Sequence, residues 1–139
     1  MIIGTIINGV VIDHIPAGRG MELYHYLHLD DLSCEVALIK NAESGKYGRK
    51  DILKINEYID VNYEILGFIA PQITVNIISD GIRVKKLHPE LPELLCGVIK
   101  CKNPRCITST ETALPHKFML TDRENGVYRC VYCETKAER

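Results

Sequence analysis

The chain has no apolar run that approaches the roughly eighteen residues needed for a membrane-spanning helix, so no membrane partner is expected. It also has no surplus of charge. Seventeen basic and 18 acidic side chains leave a formal net charge of −1, which gives no general electrostatic case for binding nucleic acid. Residues 1–93 carry nine basic and thirteen acidic groups and residues 94–139 carry eight and five, net −4 and +3. Internal repeats and low-complexity segments are absent. So is a Walker phosphate loop: in Gly45-Lys-Tyr-Gly-Arg-Lys-Asp51 the spacing is wrong and Asp51 stands where Ser or Thr should follow the lysine. No dinucleotide fingerprint is present, and no nucleophile sits beside a base. Asp13 and His14 are neighbours on an expected strand, where successive side chains point to opposite faces and cannot act on one substrate. A non-enzyme is therefore expected. No Lys or Arg precedes Arg19, and Asp13 and His14 interrupt the early apolar stretch, unlike a secretory signal. The expected location is the cytoplasm, where thiols stay reduced.

Cysteine is present, and patterned. Cys101-Lys-Asn-Pro-Arg-Cys106 is followed by 23 residues and then Cys130-Val-Tyr-Cys133. Two close-set thiolate pairs separated by a hairpin-length insert suit a tetrahedral structural zinc site, with one Zn2+ per chain. With all four ligands sulfur, no position stays open for water, so the site should hold structure and not do chemistry. A disulfide cluster is the plainer alternative, opposed by the reducing location. Cys34 and Cys96 lie in apolar contexts and read as ordinary buried thiols.

The metal pattern argues for two domains. The tail from about Leu94 has few large apolar residues beyond Val98, Ile99, Ile107, Leu114, Phe118, Met119, Leu120 and Val127, too few for an independent core without a staple. The boundary falls in Leu87-His-Pro-Glu-Leu-Pro-Glu93, where two prolines disfavour helix and central strand. Residues 1–92 and 93–139 are the expected units.

Residues 1–93 read as ββαββαββ. Asn8-Gly9 predicts a hairpin turn within residues 5–15. A helix is expected over Ala17–Leu29, with strands over Ser33–Lys40 and Asp51–Tyr58 joined by a glycine-bearing loop at 41–50. A second helix, capped by Asp60, should run to Ala70 before Pro71, and a final hairpin, Ile73–Ile78 and Ile82–Leu87, should turn at Ser79-Asp80-Gly81. An α+β fold follows: a ferredoxin-like α/β sandwich, then a small antiparallel-β zinc domain.

The cations of the first unit form two groups. Lys46, Arg49, Lys50 and Lys54 surround one loop and strand, and Arg83, Lys85 and Lys86 lie on the last hairpin. Adjacent strands should bring them toward one region of sheet, joined by His14 from a second strand. Converging cations beside apolar strand surface suit a polyphosphate carrying a base and sugar, and a solvated charged face remains the plainer account.

Gly9-Val-Val-Ile-Asp-His-Ile-Pro16, Gly48-Arg-Lys-Asp-Ile-Leu-Lys-Ile55, Ala70-Pro-Gln-Ile-Thr-Val-Asn76, Leu91-Pro-Glu93 and the four-cysteine pattern occur in one order, and in that order the sequence resembles the regulatory chains of aspartate carbamoyltransferase nearly end to end. The resemblance implies an N-terminal allosteric domain that binds the nucleotide effectors CTP and ATP, and a C-terminal zinc domain that grips the catalytic chain. It also implies a homodimer of regulatory chains bridging catalytic trimers in pyrimidine biosynthesis, with the catalytic chemistry left to the partner. Carried over by position, it implies base and ribose contacts at Ile6, Val11, Asp13, Lys54, Asn76 and Ile78. His14 and Lys86 would lie near the phosphates, with Lys50 close by, and Asn103 and Glu134 would face the catalytic chain. Gly81, Arg83 and Arg105 depart from the family's aromatic, apolar and asparagine residues. Two rivals are a bridging subunit that has lost effector response and an unrelated zinc-dependent nucleic-acid-binding module, for which the tail offers only Phe118, Tyr128 and Tyr132 as stacking residues.

Overall fold

A computed structural model describes residues 6–45 and 48–138. Strand β1 (Gly9–Pro16) leads through helix α1 (Gly20–Tyr26) and a 3-10 turn (Leu29–Asp31) to β2 (Val36–Ser44) and β3 (Gly48–Ile55). Helix α2 (Tyr63–Ile69) follows, then β4 (Thr74–Ser79) and β5 (Ile82–Leu87). The remainder holds β6 (Leu94–Cys96), the short helix α3 (Ile107–Thr110), β7 (Lys117–Asp122) and β8 (Val127–Cys130). No helix of the described residues is long and apolar enough to cross a membrane.

The first sheet has the order β2-β3-β1-β4-β5 with every pairing antiparallel, a ferredoxin-like split β-α-β arrangement with one added edge strand. Alternation decides its two faces. Val10, Ile12, Leu53, Ile55 and Val75 are fully buried and pack with Leu23 of α1 and Leu66 and Phe68 of α2. The opposite face carries Val11, Lys54, Asn76 and Lys86 and has no helix layer among the described residues. The second sheet, β6-β7-β8, is also antiparallel and centres on buried Leu95, Phe118 and Tyr128.

Several local expectations fail for physical reasons. Among the described residues no hairpin forms at Asn8-Gly9, and β1 is the one strand seen before α1. Instead the Asn8 side-chain oxygen accepts from Asp80 N at 3.1 Å and the Ile7 carbonyl accepts from Gly81 N at 2.9 Å, which holds this segment against the β4–β5 turn. Gly9 serves close packing: a Cβ there would run into the Ile55 carbonyl oxygen. The first helix is shorter than expected. Asn62, not Asp60, caps α2, its side chain accepting from Glu64 N and Ile65 N. The loop expected at 41–50 is largely strand, because β2 runs to Ser44 and β3 starts at Gly48; Lys46 lies outside the described residues. The turn between β4 and β5 forms as expected, with both Asp80 and Gly81 at positive φ, 53° and 75°. The cysteine expectation is corrected too. Cys96 is exposed, since β6 turns Leu95 inward and its neighbours outward, and Cys34, just before β2, is half-buried.

The segment 88–93 is not a free spacer. Pro89 is buried, and the Glu90 carbonyl lies so close to Gly67 of α2 that a Cβ there would collide with it. Leu120 N donates to the Glu93 carbonyl at 2.9 Å, and Arg123 Nη1 donates to the Leu91 carbonyl at 3.1 Å.

Candidate functional site

Two sites emerge, one at each end of the chain. In the tail, Cys101 and Cys106 bracket the turn that leads into α3, and Cys130 ends β8 with Cys133 one turn beyond. Their four Sγ atoms lie within 4.8 Å of one another. The Cys101–Cys133 and Cys106–Cys130 sulfur separations are 3.6 and 3.7 Å. A disulfide would require about 2.04 Å. A tetrahedron of sulfurs at the zinc–thiolate distance of about 2.3 Å has edges of about 3.8 Å, so the spacing fits a bound ion and rules out bonded pairs.

The surroundings of the sulfurs also fit a cation. Burial foremost pushes Cys101 up to about 12 and moves Cys130 in the same direction, while the Thr135 hydroxyl, 3.1 Å from its sulfur, foremost pulls Cys133 down to about 6. A buried cluster of thiolates needs positive charge, and the side-chain contacts of these sulfurs among the described residues are with one another and with the hydroxyls of Thr108 and Thr135. A divalent ion would supply it. Asn103 braces the first knuckle: its Oδ1 accepts from Arg105 N at 3.0 Å and its Nδ2 donates to Thr135 Oγ1 at 3.2 Å. Glu134 is exposed, at φ 63°.

The second site lies on the open face of the first sheet. The ladder aligns Lys54 with Val11, Val11 with Asn76, and Asn76 with Lys86, so one rung crosses β3, β1, β4 and β5. Of the residues implied by the resemblance, Ile6, Val11, Lys54, Asn76 and Ile78 line one cavity of about 260 Å3, joined by Gly81 and Arg83. Asp13, His14, Lys50 and Lys86 lie outside its lining. Lys50 Nζ pairs with Asp13 Oδ1 at 3.0 Å. The two cation groups are not on adjacent strands, since β1 and β4 separate β3 from β5, and Lys54 and Lys86 stand about 14 Å apart across three strand spacings.

The Asp13–His14 expectation is overturned by a bulge. Ile12 pairs with Leu53 but Ile15 with Asp51, so Asp13 and His14 together oppose one residue of β3. His14 takes φ 58°, and its Nδ1 lies 3.1 Å from Thr74 Oγ1. Thr74 is the ladder partner of Asp13, so the bulge brings both side chains to one face.

Asn76 is 8% exposed. Its Nδ2 donates to the Val11 carbonyl at 3.3 Å, and its Oδ1 has no partner among the described residues. Asp51, judged above only by its place in a failed motif, is fully buried. Its carboxylate accepts from Gly18 N, Gly20 N and Asn41 N at 3.1, 2.9 and 3.0 Å, which fixes the start of α1 beneath the sheet. Its partners are backbone amides from distant loops, and no sequence pattern marks them.

Comparison with known proteins matches residues 1–90 to the family model described as aspartate carbamoyltransferase regulatory chain, allosteric domain, and residues 93–139 to its metal binding domain. The chain belongs to this regulatory-chain family. A Clostridium botulinum regulatory chain is 52% identical over 132 residues, covering 95% of this chain and 90% of that one. A Clostridium acetobutylicum regulatory chain is 49% identical at the same coverage, and one from Bifidobacterium longum is 44% identical over 99% of both chains. As a regulatory chain of aspartate carbamoyltransferase it is a non-catalytic subunit, and its metal binding domain is the one that gathers the four sulfurs. The cavity on the open sheet face lies within the allosteric domain.

Proposed function

We propose that residues 1–92 bind nucleotide effectors, CTP and ATP, on the open sheet face, and that residues 93–139 hold one structural Zn2+ and dock on the catalytic chain. The observation that carries the effector reading is the cavity of about 260 Å3 that combines apolar Ile6, Val11 and Ile78 with Lys54 and with Asn76, whose Oδ1 has no partner among the described residues. A base fits an apolar slot that offers an acceptor at its floor, and the cations along the rung suit phosphate oxygens. Asp13, held by Lys50, would anchor the ribose, with His14 and Lys86 toward the phosphates.

The tail's part is structural. Cys101, Cys106, Cys130 and Cys133 would hold the ion, and a closed four-sulfur set leaves it no open position for catalysis. Exposed Ile107, Val131 and Tyr132 around the knuckles suit a protein interface. Regulatory chains would pair as dimers and bridge catalytic trimers in the cytoplasm. Effector binding can reach the catalytic chain only by favouring one arrangement of the assembly, and the anchored segment 88–93 is the covalent route between the units. Aspartate saturation of the reconstituted complex, with and without CTP and ATP, tests this. Shifted curves are expected, with a coupling of about 1–3 kcal/mol. Identical curves in a sample shown to bind nucleotide would leave a structural bridge instead.

A further inference from the structure

Building on the effector-site reading, we infer that Asn76 and Arg83 tune this cavity to a guanine base, so that the chain takes guanosine triphosphate in preference to the adenine and pyrimidine triphosphates. Three observations converge on it. The floor of the cavity has an unmet demand. Asn76 Nδ2 is committed to the Val11 carbonyl, which fixes the amide's orientation and leaves buried Oδ1 without a donor among the described residues. A buried acceptor left unpaired is costly, so a ligand that brings an N–H group to this floor is favoured over one that brings another acceptor.

The wall has the opposite character. Arg83 is the ladder partner of Ile78 and lines the same cavity. Among the described residues its guanidinium enters none of the ion pairs. Its planar fork matches two adjacent acceptors in one plane. The third observation is room. Gly81 borders the cavity, and a Cβ built there meets no atom of the described residues within 4 Å, so among these residues this side is open to a bicyclic ring.

Guanine answers all three demands. Its O6 and N7 are neighbouring acceptors that a guanidinium fork takes bidentately, and its N1–H and N2 amino group offer donors to Asn76 Oδ1 from the adjoining edge. Adenine sets an amino donor beside N7, so the fork meets one acceptor and one repelling hydrogen. Cytosine and uracil lack N7 and leave the Gly81 side unfilled.

Calorimetric titration of the purified full chain with GTP, 7-deaza-GTP, ATP and CTP tests the assignment, alongside the Arg83→Val chain. GTP is expected to bind about tenfold more tightly than ATP. The GTP-to-ATP affinity ratio should fall to about one both when 7-deaza-GTP, which lacks one of the two acceptors, replaces GTP and in Arg83→Val. Arg83 is exposed, so the variant should melt with the parent. An equal GTP-to-ATP ratio in parent and variant, or tighter binding of ATP or CTP to the parent, would overturn the guanine assignment and leave the effector site standing. If no triphosphate binds, the effector reading fails and the assignment fails with it.

Discussion

Phe68 of α2 and Tyr128 of β8 meet edge to face, ring centroids 5.4 Å apart and planes inclined at 70°. Each is 1% exposed, so the helix layer of the large sheet and a strand of the small one share a core. The Tyr128 hydroxyl donates to the Pro92 carbonyl, and one side chain thus joins both sheets to the segment between them. Tyr128→Phe keeps the ring contact and deletes the hydrogen bond. The expected cost is about 1 kcal/mol, seen as a fall in melting temperature of roughly 3 °C. An unchanged melting temperature would show that the hydroxyl contributes no net stability.

Removing the metal should act on the two units unequally. The small sheet rests on Leu95, Phe118, Tyr128 and the buried sulfurs, whereas the large sheet adds to the shared core fully buried Val10, Ile12, Leu53, Ile55 and Val75 between its strands and helices. A structural zinc site is worth on the order of 10 kcal/mol. Chelation is therefore expected to unfold the tail and leave the β1–β5 sheet folded, and metal analysis of the intact chain should give one Zn2+. Acid should do the same, because thiolates bind metal and thiols do not: the contribution is present while the sulfurs are ionised and is lost as pH falls. Hydrogen exchange that shows equal protection of both sheets after complete metal removal would contradict this.

Asp51 carries a third prediction. A fully buried carboxylate that accepts three backbone N–H groups leaves all three unpaired when truncated, so Asp51→Ala should cost about 3 kcal/mol or more. Gly20→Ala tests the same contact from the other side, because a Cβ there would sit 2.7 Å from Asp51 Oδ2 and 2.8 Å from Leu38 Cδ1. Both variants should lower the denaturant midpoint. Wild-type midpoints would remove Asp51 from the folding of α1.

What the sequence disclosed follows the range of each interaction. Each knuckle closes within a few residues, so the spacing of Cys101, Cys106, Cys130 and Cys133 announced a cluster that the fold assembles. The β4–β5 turn was legible because Asp80 and Gly81 decide it locally. Asn8-Gly9 carries the same local signal, yet Gly9 is there for close approach to the Ile55 carbonyl, and a tertiary contact overrides the turn preference. The bulge at Asp13 and His14 was invisible because register belongs to a pair of strands and not to one. The lining of the open-face cavity could be proposed from resemblance. That Asn76 Oδ1 lacks a partner among the described residues required the neighbouring strand.

Register supplies the sharpest test of the effector face. Lys85 and Lys86 are neighbours and both are exposed, but Lys86 opposes Asn76 while Lys85 opposes Ile77. Asn76 belongs to the open face and Ile77 to the helix-covered one, so the two ammonium groups leave the sheet on opposite sides. If a nucleotide lies along the rung from Lys54 to Lys86, only Lys86 can reach its phosphates. Lys86→Ala should then cost about 1.5–3 kcal/mol for a charge-assisted hydrogen bond, a loss of roughly tenfold to a hundredfold in affinity. Lys85→Ala removes the same charge one residue away and should leave affinity unchanged. Calorimetry on both variants separates a built contact from a general field, because non-specific attraction would weaken both equally. Equal losses would dissolve the site into surface charge, and no loss in either would take Lys86 out of it.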